Sequence, residues 1–81
     1  MILGVLSVNV ITQQTDADTL TKAGFYQGSV WVNTPLTTGM LIMPYYRNGF
    51  WRFQLFCDTG STNLWFRSGN SGSYGVWKKI V

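Results

Sequence analysis

Between residues 40 and 67 the chain is rich in apolar and aromatic, β-prone side chains, and turn residues interrupt it twice. Asn48-Gly49 is the strongest short-range signal for a hairpin, because both central residues of a type I′ turn need positive φ. Setting Arg47 opposite Phe50 places Tyr46 across from Trp51, Pro44 from Phe53 and Ile42 from Leu55, all on one apolar face. The reverse face carries Tyr45 with Arg52, Met43 with Gln54 and Leu41 with Phe56, a mixture that a soluble monomer is not expected to bury completely. A loop at Thr59-Gly60-Ser61-Thr62 then sets Cys57 against Leu64, Phe56 against Trp65, Leu55 against Phe66 and Gln54 against Arg67. The two hairpins share the strand 50–58 and agree on its faces, which a slip of one residue would exchange.

The flanking segments are shorter. Leu6, Val8 and Val10 alternate with Ser7 and Asn9 as in a half-buried strand, whereas residues 2–5 are apolar on both faces. Such a segment either packs against an upstream segment or a second copy, or frays as a terminus. Thr15 or Asp16 is placed to cap one short helical turn through Asp18, Leu20 and Ala23, closed by Gly24 in the left-handed conformation. An ordered loop anchored by Leu20 is the competing reading, since Asp16, Thr19 and Thr21 are poor helix-interior residues. Phe25-Tyr26 and Val30-Trp31-Val32 are β-prone, residues 33–39 form a connection containing Pro35, residues 68–75 read as a mobile surface loop, and residues 77–81 as a last short strand. The expected architecture is all-β: a small antiparallel sheet with two sequential hairpins over about residues 41–67, one short helical turn near residues 16–22, and a closing C-terminal strand. Residues 1–14 are expected to form a strand or linker and residues 15–81 the domain proper.

With 81 residues the chain is one small domain, which buries only about 60% of its unfolded surface. A single cysteine excludes an intrachain disulfide, and the absence of histidine leaves almost no ligands for a transition metal. Association with further copies is the remaining usual source of stability. Charged residues make up 11% of the chain and aromatics 16%, so some aromatic surface is expected to be exposed or shared. The net charge of +3 comes from scattered residues, with Lys78-Lys79 the densest basic pair, a thin electrostatic footprint for nucleic acid. No apolar run approaches the roughly 20 residues of a membrane span, and residues 2–6 lack the basic flank of a signal peptide.

This inventory argues against catalysis. Asp16 and Asp18 suit caps better than a glycosidase pair, Asp58 suits a turn, and Cys57 has no histidine to activate it. No catalytic residue, metal or cofactor is expected. Aromatic rings beside Arg, Asn and Gln suit sugar binding instead, because the rings give rigid contact area and the polar groups direct hydrogen bonds. The face bearing Tyr45, Arg52, Gln54, Phe56, Trp65 and Arg67 has that composition, and it equally suits packing between subunits or layers. A small barrel that binds single-stranded nucleic acid shares these ingredients but needs a longer basic track.

The run Asp18-Thr19-Leu20-Thr21-Lys22-Ala23-Gly24-Phe25-Tyr26, the hairpins, and the close Tyr74-Gly75-Val76-Trp77-Lys78-Lys79-Ile80 together resemble the pyocin-knob family of bacteriophage tail fibres and phage-tail-like bacteriocins. The resemblance covers residues 16–81, with Tyr74 standing where the family often has Trp. It implies a fibre tip located on the virion, usually trimeric, that joins other tail fibre or baseplate proteins and meets lipopolysaccharide or another bacterial surface polysaccharide. A structural module for trimerisation or capping is the alternative. The candidate ligand-binding residues are Tyr45, Arg52, Gln54, Trp65, Arg67, Asn70 and Tyr74, and the candidate subunit-interface residues are Ile2, Leu3, Val5 and Phe56. Neither nucleic acid nor membrane insertion is expected.

Overall fold

The structure, a computed structural model, describes residues 7–47, 51–60, 63–70 and 73–80. The Asn48-Gly49 turn, the tip of the loop after Gly60, and Ile2, Leu3 and Val5 lie outside the described residues.

Among these residues the chain is nearly all strand: β1 (Ser7–Ile11), β2 (Thr15–Asp16), a 3-10 turn (Ala17–Thr19), β3 (Gly24–Gly28), β4 (Trp31–Val32), β5 (Gly39–Arg47), β6 (Trp51–Cys57), β7 (Leu64–Asn70), β8 (Ser73–Tyr74) and β9 (Lys78–Lys79). The main sheet runs β1-β3-β5-β6-β7-β8, with β9 also on β7, and β2 pairs with β4 in a small separate ribbon. The β3-β5-β6-β7-β8 part is antiparallel, and β1 adds to β3 in parallel. A parallel pair needs a crossover, which residues 12–23 supply with β2 and the 3-10 turn. No described helix is long and apolar enough to cross a membrane.

The second hairpin has the expected register, with Cys57 opposite Leu64, Phe56 opposite Trp65, Leu55 opposite Phe66 and Gln54 opposite Arg67. The first keeps Leu41 with Phe56 and Ile42 with Leu55, but its outer half differs: Arg47 pairs with Trp51, Tyr46 with Arg52 and Tyr45 with Phe53. A bulge between Ile42 and Tyr45 absorbs the difference. Pro44 sits inside it, where a residue without an N–H deprives no ladder partner of a bond. The bulge turns Tyr46 to the inner face and Tyr45 to the outer one, opposite to the expected assignment.

Three further corrections concern short segments. The helical turn is capped by Asp16, whose carboxylate accepts from Asp18 N at 2.9 Å, but it ends at Leu20, and Gly24 opens β3 instead of closing a helix. Of the expected loop 68–75, residues 68–70 and 73–74 are strand, because β8 folds back on β7 with Gly69 opposite Tyr74 and Asn70 opposite Ser73. The closing strand is confined to Lys78 and Lys79.

The mixed face of the double hairpin is the one the molecule buries. Leu41, Met43, Gln54 and Phe56 are fully buried, and Arg52 and Arg67 nearly so. Ala17 of the 3-10 turn and Trp31 of β4 join Tyr26, Leu41, Met43 and Phe56 in one core, with Leu20, Tyr46, Trp65 and Trp77 packed around it. Trp31 meets Tyr26 edge to face at 6.4 Å and donates its indole N–H to Gly39 O at 3.1 Å. Gly39 cannot carry a side chain, because a Cβ there would stand 2.5 Å from Cys57 O.

The opposite face of the sheet has no such cover among the described residues. Phe25, Ile42, Leu55 and Phe66 form one cross-strand row, all half-buried, and Phe53 packs edge to face on Phe66 at 5.9 Å. Tyr45 and Trp51 are exposed at one end of the sheet.

Candidate functional site

Strands β6, β7 and β8 bring Arg52, Gln54, Arg67 and Tyr74 together at the inner-face end of the sheet. The period-two spacing of Arg52 and Gln54 on β6 and the register of β7 set Arg67 opposite Gln54 and Gly69 opposite Arg52. Gly69 leaves room for the arginine to lie across it, since a Cβ at this position would stand 2.7 Å from Arg52 Nε and 2.9 Å from Ser73 O.

Arg67 is held from three sides. Its Nε and Nη2 both donate to Gln54 Oε1, at 2.9 and 2.8 Å, and Nη2 pairs with Asp18 Oδ1 at 2.7 Å. Its guanidinium stacks on the Tyr74 ring at 3.8 Å and on Trp77 at 4.6 Å. Burial pulls its pKa below the ordinary arginine value, and the Asp18 carboxylate pushes it back up. Gln54 in turn donates from Nε2 to Ala17 O at 2.9 Å, which ties β6 to the 3-10 turn. Asn33, whose φ of 63° puts it in the left-handed region, donates to Asp16 Oδ1 at 2.8 Å, and its carbonyl accepts from Trp77 Nε1 at 2.9 Å. The carboxylates of Asp16 and Asp18 therefore serve the scaffold.

Arg52 differs. It also stacks on Tyr74, at 4.3 Å, and is only 9% exposed, but its Nε has no hydrogen-bond partner and no carboxylate lies within ion-pair distance among the described residues. Burial raises the pKa of the Tyr74 phenol, while the two arginines pull it down. Tyr74 stays neutral across the physiological range, with its ring available to both cations.

Among the clefts beside this cluster, two share Arg52. One, of about 500 Å³, is lined by Trp51, Arg52, Ser68, Asn70, Ser73 and Tyr74 among others. The other, of about 220 Å³, is lined by Asp18, Arg52, Arg67, Ser73 and Tyr74. Arg52, Ser73 and Tyr74 belong to both. A separate hollow of about 460 Å³, against Ile11, Gly28 and Met40, has no charged or aromatic lining and offers less to recognise a ligand.

Of the sequence-derived candidates, Arg52, Arg67, Asn70 and Tyr74 line these clefts. Gln54 lies directly beneath, fully buried, and can act on a ligand only through Arg67. Trp65 packs against the core with its indole N–H buried and unpartnered, and Tyr45 is turned to the other face. Phe56 is wholly enclosed in this chain's core and presents no surface for a second subunit. Sequence reasoning missed Trp51, Asp18 and Ser73. Nothing in the local pattern separates Trp51 from Phe53 and Leu55, which share its parity on β6.

No protein-family model matches the chain, and no curated protein does either. Solved structures do match. An N-truncated R2-type pyocin tail fibre superposes with a TM-score of 0.78 at 16% identity, covering 90% of this chain and 32% of that one. A C-terminal portion of the R2 pyocin fibre of P. aeruginosa gives 0.78 at 16%, covering 90% of this chain and 22% of that one. The corresponding portion of the P. aeruginosa R1 fibre gives 0.76 at 18%, covering 90% of this chain and 21% of that one. This chain spans a third or less of each fibre structure, and at these identities what it shares with them is a fold.

Proposed function

We propose that this chain is a knob-like tail-fibre domain, carried on a virion or phage-tail-like particle, that takes part in attachment to a host cell by binding a bacterial surface glycan as a trimer. The observation that carries this reading is the exposed ring of Trp51, 58% accessible, at the rim of a cleft lined with Arg52, Asn70, Ser73 and Tyr74. A sugar presents an apolar C–H face and a hydroxyl edge, and an aromatic rim beside short polar groups complements both. One such contact is weak, and three linked copies facing a polyvalent surface raise avidity without new contacts. The fold shared with pyocin tail fibres is consistent with this context. No catalytic step is part of the proposal.

Binding of the purified domain to susceptible cells tests it. Trp51→Ala removes an exposed ring that packs on nothing in the core, so the variant is expected to stay folded and to lose about tenfold or more of cell binding. Undiminished binding by folded Trp51→Ala would remove this site assignment.

A second reading, a purely structural trimerisation or capping module, is favoured by the outer sheet face, where Phe25, Ile42, Leu55 and Phe66 stand in one row without a covering layer among the described residues. A second copy is the natural cover for so apolar a row.

A further inference from the structure

We infer that the cleft between β6 and β8 contains an anion subsite, in which the guanidinium of Arg52 receives a carboxylate or phosphate group of the bound glycan. This inference rests on the glycan-binding reading for its biological setting, and on the geometry of Arg52 for its chemistry.

Both inner arginines are almost removed from solvent, at 9% for Arg52 and 5% for Arg67. Burying a cation is costly unless it is paired and hydrogen-bonded, and native structures satisfy nearly all such groups. Arg67 meets that requirement in full, through Gln54 Oε1 and the Asp18 carboxylate. Arg52 meets it only with a ring face: it has the π contact to Tyr74, an orphaned Nε, and no ion pair among the described residues. Asp18 is the only acidic group lining the smaller cleft, and it is engaged on one oxygen by Arg67 and on the other by Asn33 at 3.4 Å. Among the described residues the positive charge of Arg52 is thus left without a counterion where its side chain borders both clefts. Guanidinium groups bind planar pairs of oxygens best, which favours carboxylate and phosphate over a neutral hydroxyl. Ser73 lines both clefts beside Arg52. The arrangement is one anionic group short of completion.

Nitrogen-15 NMR of the full chain reads this directly through the side-chain N–H signals of its arginines. Inorganic phosphate, glucuronate and neutral glucose are titrated separately at constant ionic strength. Saturable movement of the Arg52 signal with phosphate, glucuronate or both, with Arg47 unmoved and glucose inert, supports the subsite, and the more effective anion identifies the source of the charge. Arg52→Lys keeps the charge but not the paired donors, and is expected to weaken the effective anion about tenfold. An Arg52 signal that follows neither anion beyond the response of Arg47 overturns the subsite. Cell binding separates the two claims. A domain that binds cells while Arg52 ignores both anions loses the subsite and keeps the attachment reading, and the converse keeps the subsite and loses attachment.

Discussion

Gln54 has no contact with solvent, yet its side-chain amide connects three parts of the molecule: it sits on β6, donates to Ala17 in the 3-10 turn and accepts twice from Arg67 on β7. Removing that amide leaves a buried carbonyl and a buried guanidinium short of partners. Gln54→Leu, similar in volume, is therefore expected to destabilise the fold by about 2–4 kcal/mol in urea unfolding, and a loss below about 1 kcal/mol would contradict this role. The grouping of Arg52, Gln54 and Arg67 was legible in the sequence, because alternation and turn spacing put them on one face. Their burial was not. Polar side chains ordinarily mark a solvent face, and here the cover comes from Ala17, Trp31 and Trp77, which no local pattern connects to β6.

At the scale of elements, the second hairpin is readable as far as Arg67 because its loop length fixes its register, and the first only in its inner half. Alternation alone reads Pro44 as an ordinary strand residue, whereas its missing N–H marks the bulge that exchanges the faces of Tyr45 and Tyr46. The β7-β8 pairing was hidden for a related reason: residues chosen for backbone geometry and close approach, such as Gly69, carry no apolar period. Once the mixed face is recognised as the core, the outer face becomes the open one, and a prediction belongs to it. If this face joins copies, the chain has the mass of a trimer in solution, and Leu55→Asp, in the middle of the Phe25, Ile42, Leu55, Phe66 row, yields folded monomers. A wild-type chain that is monomeric at high concentration would contradict self-association through the sheet.

For the whole molecule these assignments divide the surface into two parts with different tasks. The outer sheet face suits packing against other copies, and the end of the sheet around Trp51, Arg52, Asn70, Ser73 and Tyr74 suits a ligand. The central claim is that a surface glycan is bound at that end. The most direct test follows the backbone amide signals, together with the indole N–H signals of the four tryptophans, while polysaccharide released from susceptible cells is added. Trp51 is expected to move saturably while Trp31, buried at 3% exposure, stays in place. Saturable binding that leaves Trp51 unmoved and instead shifts the outer-face residues Ile42, Leu55 and Phe66 would contradict it.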